Sequence, residues 1–309
     1  MKTFLVTGGA GFIGSHLVRA LLARGDKVRV LDNFSTGKAE NLAGLQGALE
    51  ILEGDIRDAA LVNEAVRGVE VIFHEAAFVS VPLSMETPLP CFETNVRGTE
   101  ILLEAARHAE VRRVVLASSA AVYGDSDLLP LREDSPLHPL SPYAVSKRVD
   151  ELYAALYTEA FGLEVVALRY FNVFGPRQSP NSAYAAAVPI FARRMLEGIA
   201  PTVFGDGRQT RDLIYAGDVA RANLLAADAK DAPGKILNIC TGRETRLLDL
   251  LDALKGILPD APPPEFAPPR AGDIYRSVGS PSLAKRILGF RAKISLEEGL
   301  RETVAWMKS

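Results

Sequence analysis

The segment Thr7-Gly8-Gly9-Ala10-Gly11-Phe12-Ile13-Gly14 constrains the fold of this chain more than any other stretch. It follows a short β-like run, Thr3–Thr7, and leads into Ile13–Ala23, where Ile13, Leu17, Ala20 and Leu21 recur at helical spacing. A strand, a Gly9-x-Gly11-x-x-Gly14 turn and a helix make the opening unit of a dinucleotide-binding α/β sheet. The glycines permit a tight turn, let backbone amides approach a pyrophosphate and bring the helix close to its strand. The anion then lies at the positive end of the helix.

The same alternation continues through the first half. Strands are expected at Lys27–Leu31, Leu49–Glu53, Val71–His74, Arg113–Ala117 and Glu164–Arg169, with helices at Asp58–Val66, Asn95–Arg107 and Tyr143–Phe161. Strand–helix alternation of this kind means a parallel sheet wrapped on both faces. After about Asn172 the pattern changes: Pro176, Pro180, Pro189 and Pro201 punctuate a stretch with one helix near Ala185–Glu197 and the turn Gly205-Asp206-Gly207. A strand at Arg211–Tyr215 and a helix at Asp218–Ala227 resume the first pattern, and a Pro-rich linker spans Pro259–Pro269. The expected architecture is a Rossmann-type doubly wound sheet with a smaller α/β substrate-binding domain. The large domain takes residues 1–171 plus about 211–234, and the smaller takes about 172–210 plus 235–309.

Charge and composition exclude several classes. Lys+Arg 35 against Asp+Glu 38 leaves a formal net charge of −3 and no basic stripe for nucleic acid. No apolar run approaches the roughly 20 residues of a membrane span. Met1-Lys2 runs straight into the first strand, with no leader-like segment. Cys91 and Cys240 form no CxxC pair, and His16, His74, His108 and His138 are scattered, so no metal site is expected. The expectation is a cytoplasmic protein.

Asp32 ends the second strand, about 20 residues past the glycine turn, where a carboxylate holds the adenosine ribose. Facing a 2′-phosphate at 4 Å it would be opposed by about 4 kcal/mol at an effective dielectric of 20, so NAD is favoured over NADP. Asp55, after the third strand, reads equally as an adenine contact or as a helix cap or surface charge.

Ser141-Pro142-Tyr143-Ala144-Val145-Ser146-Lys147 opens the long helix. Ser141 suits the N-cap and Pro142 the first helical position. Tyr143 and Lys147 are four apart and so share one helix face. A tyrosine acting as a base near pH 7 needs about 4 kcal/mol of phenolate stabilisation, which the lysine charge, the helix N-terminus and an oxidised nicotinamide supply together. Ser118-Ser119 follow the strand Arg113–Ala117, at the carboxyl edge where open α/β sheets bind ligands.

The glycine turn, His74-Glu75-Ala76-Ala77, Asn95, Ser118-Ser119-Ala120-Ala121-Val122-Tyr123-Gly124, the Tyr143/Lys147 pair and Arg169-Tyr170-Phe171-Asn172-Val173-Phe174-Gly175-Pro176 occur in order. Together they resemble the extended short-chain dehydrogenase/reductase family, and within it the nucleotide-sugar epimerases. The resemblance implies Tyr143 as the base, Lys147 on the nicotinamide ribose, Ser119 on the sugar hydroxyl and Asn95 in the supporting network. It implies NAD along Gly8, Gly11, Phe12 and Ile13, then against Asp32, Asn33, Ser35, Thr36 and Gly37. Asp55, Ile56, Ala76, Ala77 and Tyr170 would complete that surface. On the substrate side it implies Ser80, Val81, Asn172, Ala187 and Val188, with Thr202 and Phe204 at a uracil slot. Arg211 and Arg270 resemble a diphosphate clamp, bidentate arginine suiting that geometry, and Asp273 resembles a ribose contact. Two positions depart from the pattern: Glu75, often apolar in the family, and Ala121, often Ser or Thr.

Dehydratases and decarboxylases of the family carry an acid after the catalytic serine or threonine, whereas this chain has Ala120-Ala121, which cannot transfer a proton. That implies redox at carbon 4 of a UDP-sugar without elimination. Residues 179–186 and Ser80-Val81-Pro82 resemble bacterial enzymes acting on UDP-N-acetylglucosamine. Ser277, four past Asp273, stands where glucose-restricted epimerases carry tyrosine. UDP-glucose/galactose and UDP-glucuronate remain the alternatives, as does an NAD-bound sensor without turnover. Relatives of this kind pair as homodimers through the helices at Asn95–Arg107 and Tyr143–Phe161.

Overall fold

The computed structural model describes residues 2–180, 186–269 and 274–309. Its core is a seven-stranded parallel sheet: β1 (Thr3–Thr7), β2 (Lys27–Asp32), β3 (Leu49–Glu53), β4 (Val71–His74), β5 (Arg113–Ser119), β6 (Glu164–Tyr170) and an edge strand, Ile236–Ile239. The spatial order is Ile236–Ile239, β6, β5, β4, β1, β2, β3. The winding reverses between β1 and β4, and the carboxyl ends of that pair open the crevice where such sheets bind ligands.

The helices are α1 (Phe12–Ala23), α2 (Ala59–Ala65), α3 (Val81–Glu86), α4 (Pro88–Phe92), α5 (Gly98–His108), α6 (Pro142–Phe161), α7 (Ala187–Leu196), α8 (Ala216–Asp228), α9 (Leu247–Ile257), α10 (Ser282–Leu288) and α11 (Leu296–Lys308). Successive strand residues feed opposite faces. Phe4 and Val6 pack with Leu17 and Leu21 of α1 and Ala222 of α8, while Leu5 packs with Val62 of α2 and Leu102 of α5. With both faces covered, these strands need near-continuous apolar sequence, which is what the chain carries. Truncating a fully buried residue such as Leu5 to alanine would cost about 2–5 kcal/mol. A third core, built on Phe174, Phe191, Val203, Leu250 and Leu300, joins α7, α9 and α11 into the smaller lobe.

The structure corrects the expected elements at four points. β2, β5 and β6 run one or two residues further than the sequence implied, so Asp32, Ser119 and Tyr170 occupy last strand positions. The helix expected from Asn95 is a π-helical turn, Glu93–Arg97, followed by α5. The strand expected over Arg211–Tyr215 breaks at Asp212: Thr210–Arg211 pairs antiparallel with Thr245–Arg246, and Leu213–Tyr215 pairs parallel with Asn172–Phe174. Buried Asp212 forces the break, because its carboxylate accepts from Thr241 N and Gly242 N at 2.8 and 2.9 Å. Ile236–Ile239, expected in the smaller domain, instead extends the large sheet beside β6, with Leu237 and Ile239 in the core under α8 and α10. Among the described residues no helix is long and apolar enough to cross a membrane.

Candidate active site

The glycine turn is shaped by exclusion. Gly8 has φ +68°, and a Cβ there would lie 2.7 Å from the Ala76 nitrogen. At Gly14 it would lie 2.2 Å from the Gly8 carbonyl, so only glycine lets α1 start this close to β1. Asp32, buried at the end of β2, receives Ala10 N–H and Phe34 N–H, both at 2.8 Å, one on each carboxylate oxygen. Each oxygen keeps a further lone pair for a diol. This cradle and its carboxylate fit an adenine dinucleotide lacking a 2′-phosphate.

The neighbouring positions divide. Gly37 presses on Ala10, where a Cβ would meet the carbonyl carbon at 2.9 Å. Asn33 orders the loop, accepting from Ser35 N and Oγ at 3.0 and 2.7 Å and donating to Asp55 at 2.8 Å. Asp55 is also chelated by Arg57, whose guanidinium holds its carboxyl well below the usual range. The N-cap of α2 is Asp58, which excludes that role for Asp55. Ile56 puts its side chain in the core, and Ala76 and Ala77 line the turn beyond β4 half-buried.

α6 starts as its sequence demands. Ser141 Oγ accepts from Ala144 N at 3.1 Å, and Pro142 fills the first position. Tyr143 is half-buried and its N–H donates to Ser84 Oγ at 3.2 Å, tying α6 to α3. Lys147, one turn on, is buried. Burial works against its charge, but Asp150, with Tyr143 and Glu75, outweighs it and raises the ammonium above the ordinary lysine value.

Asn95 acts as a bracket. Its Oδ1 accepts from Phe78 N at 2.7 Å, and its Nδ2 donates to Phe78 O and to Ser146 Oγ at 3.1 and 2.9 Å. The side chain clamps the segment after β4 to α6, with its amide groups already engaged. The π-helical turn aims it inward, a distortion found often at functional sites.

The two serines of β5 point to opposite sides. Ser118 Oγ donates to buried Glu151 at 2.7 Å, and Glu151 pairs with Arg169 at 2.7 Å, a structural network. Ser119 accepts from Ala121 N at 3.2 Å at the strand end, on the crevice side. Tyr170 OH donates to Glu75 at 2.7 Å and receives Asn223 Nδ2 at 2.7 Å. Burial pushes Glu75 up to about 7, although Tyr170 and Lys147 act in the other direction.

Asn172, Ala187, Val188, Thr202, Phe204 and Arg211 line a cavity of about 420 Å³. Six expected substrate positions thus come together. Arg194, Gln209, Thr245 and Arg246 also line it and were not foreseen. No local signal marked Arg246, because the pairing that sets it opposite Thr210, and Thr245 opposite Arg211, is long-range. Ser80 caps α3 by accepting from Leu83 N at 3.2 Å, and Val81 follows it, exposed. Ser277 is half-buried, its N–H bonded to Thr210 O at 3.2 Å. Arg270 and Asp273, like residues 181–185, lie outside the described residues. No group of His, Cys, Asp and Glu among the described residues could hold a metal ion.

Comparison with known proteins agrees with this geometry. The chain is 42% identical over 307 residues to a putative UDP-glucose 4-epimerase of Methanocaldococcus jannaschii, covering 99% of this chain and 98% of that one. Among solved structures it resembles a UDP-N-acetylglucosamine 4-epimerase from Methanobrevibacter ruminantium in complex with UDP-N-acetylmuramic acid. There the TM-score is 0.95 at 38% identity, covering 99% and 98% of the two chains. A Thermus thermophilus UDP-glucose 4-epimerase in complex with NAD matches with TM-score 0.90 at 41% identity, covering 99% of each chain. The profile of the "NAD dependent epimerase/dehydratase family" matches residues 4–240, the span that carries the glycine cradle, Asp32, Ser119 and the Tyr143/Lys147 pair. With cradle, the start of α6 and the sequence match in agreement over that span, the chain belongs to the NAD dependent epimerase/dehydratase family.

Proposed function

We propose that this protein is an NAD-dependent UDP-sugar 4-epimerase that accepts N-acetylated hexoses as well as UDP-glucose and UDP-galactose. The observation that carries the reading is the placement of Tyr143 and Lys147 on one face of α6, beside a strand end where Ser119 is followed by apolar Ala120 and Ala121. A dehydratase or decarboxylase needs a second acid/base group there.

NAD, held by Gly8, Gly11, Asp32 and the loop through Gly37, supplies a reversible hydride acceptor. Tyr143 takes the proton of the sugar's 4-hydroxyl and returns it, so the sugar passes through a 4-keto form. The Lys147 ammonium favours the phenolate, and Ser119 holds the same oxygen from the sheet side. Arg211 meets the diphosphate while Thr202 and Phe204 flank the base. Small Ser277 leaves space for a carbon-2 acetamido group.

Homodimer formation belongs to the same reading. Val145, Leu152 and Leu156 of α6 are exposed, and so are Met85, Leu89 and Phe92 on α3 and α4. The supporting exposed apolar residues thus run along α3, α4 and α6. Cytoplasmic location fits two cysteines that are both free and buried.

The test is incubation with UDP-GlcNAc, UDP-glucose and UDP-glucuronate separately, with carbon-4 inversion read by NMR. Inversion of the first two is expected. Inversion of UDP-glucuronate alone would replace the substrate assignment, and elimination or decarboxylation would overturn the reaction class.

A further inference from the structure

Asp150 has no part in the reaction as described so far, yet it is fully buried directly behind the catalytic lysine. Lys147 Nζ donates to its Oδ2 at 3.3 Å, and its Oδ1 is buried with no hydrogen-bond partner among the described residues. A buried carboxylate with an open acceptor is expensive to maintain unless a nearby charge requires it. That charge is Lys147.

A polar chain leads to this carboxyl from the phosphate-binding turn. Ala76 N–H donates to Thr7 Oγ1 at 3.3 Å, and Thr7 Oγ1 lies 2.7 Å from Nδ1 of His74. Burial pushes His74 down to about 3, so the ring is neutral, with one nitrogen donating and the other accepting. Nε2 lies 2.9 Å from Thr99 Oγ1, and the Thr99 hydroxyl lies beside Asp150.

We propose that Asp150 is a positioning residue of the active site, a buried counter-ion that fixes the charge and resting place of Lys147 and connects them through Thr99, His74 and Thr7 to the phosphate-binding turn. The proposal rests on the reading of Tyr143 and Lys147 as the catalytic pair. Other charged and titratable groups face the same region. Glu151 on α6 is neutralised by Arg169 and Arg148, and Cys91 on α4 bonds Ser146. Glu75, beyond β4, faces Lys147 from the other side. None of them donates to or accepts from Asp150.

Burial raises the Asp150 carboxyl to about 7, although Lys147 and Thr99 act in the other direction. Replacing it by neutral Asn therefore removes a negative charge from beside Lys147 above that pH, and the ammonium gives up its proton more readily. The basic limb of the pH profile of kcat moves to lower pH, by about one unit, while the acidic limb stays. A residue needed only for packing would lower the amplitude and leave the limbs in place.

The experiment compares the NAD-loaded protein with its Asp150→Asn variant, measuring kcat for UDP-galactose against pH. A downward shift of the basic limb supports the proposal, and an unmoved basic limb overturns it. If Asp150→Asn does not fold, Thr99→Val weakens the same charge without touching α6 and should give a smaller shift of the same sign. No shift there overturns the proposal too. Retained turnover in Tyr143→Phe would break the underlying catalytic reading instead, and the two failures remain distinct.

Discussion

The glycine-lined crevice and the cavity lined by Arg211 are built by different means. The crevice is made of strand ends and helix starts, with glycines where a Cβ would come within 2.2–2.7 Å of backbone atoms, and with side chains buried against the sheet. The cavity is assembled from Thr202–Phe204, from two-residue strands such as Thr210–Arg211 and Thr245–Arg246, and from the start of α7. In the first region position along the chain determines position in space. In the second, partners more than 30 residues apart must meet before a site exists. Substitutions in the crevice should therefore act on all substrates alike, and those in the cavity should discriminate between them.

The largest expected effect is at Gly14. A methyl group there meets the Gly8 carbonyl at 2.2 Å, and backbone on both sides leaves nothing flexible to yield. Gly14→Ala should displace α1, abolish NAD retention and lower Tm. Cofactor content by mass spectrometry checks it, and a variant that holds NAD normally would show that the turn is looser than its geometry.

Tyr143→Phe comes next. Among the described residues its hydroxyl makes no hydrogen bond, and the residue is tied to α3 through its backbone N–H. Tm and NAD content should stay close to the parent protein while kcat falls by about 10²–10⁴ for every sugar tested. A loss confined to one sugar would move Tyr143 out of the shared chemistry.

Ser277→Tyr tests the other side of the comparison. Its backbone is fixed to Thr210, next to Arg211 of the cavity. A ring forced into a packed site costs about 1–3 kcal/mol, so kcat/KM for UDP-GlcNAc should fall roughly 5- to 150-fold. UDP-glucose should change much less. An unmoved ratio of the two specificity constants defeats the N-acetyl assignment and leaves the epimerase reading standing.

The same contrast explains what was legible in the sequence. The glycine spacing, Asp32 and the four-residue interval from Tyr143 to Lys147 are local patterns, and local geometry makes them what they are. The edge strand Ile236–Ile239 was missed because three apolar residues around Asn238 carry no period of their own and are defined by β6 beside them. The break at Asp212 depends on Thr241 and Gly242, which no window around Asp212 contains. Asp150 was missed for another reason: its interval of three from Lys147 was readable, but its complete burial was not.

The smallest effect concerns Glu75, which lies on the crevice side and should therefore be blind to the sugar. Burial raises its carboxyl from the ordinary 4.5 to about 7, so between those values the folded protein holds a proton that the unfolded chain has released. Stability from this group is fully present below about 4.5, declines as pH rises through that window and is lost above about 7. Gln keeps the acceptor for Tyr170 OH and cannot ionise. Glu75→Gln should thus match the parent Tm at pH 4 and exceed it at pH 8 by several degrees, since moving a pKa by one unit is worth about 1.4 kcal/mol. Melting curves across that range decide it. A Tm difference that is constant with pH would show that Glu75 is solvated well enough to ionise freely, and its contact with Tyr170 would then be a neutral hydrogen bond's worth of support and nothing more.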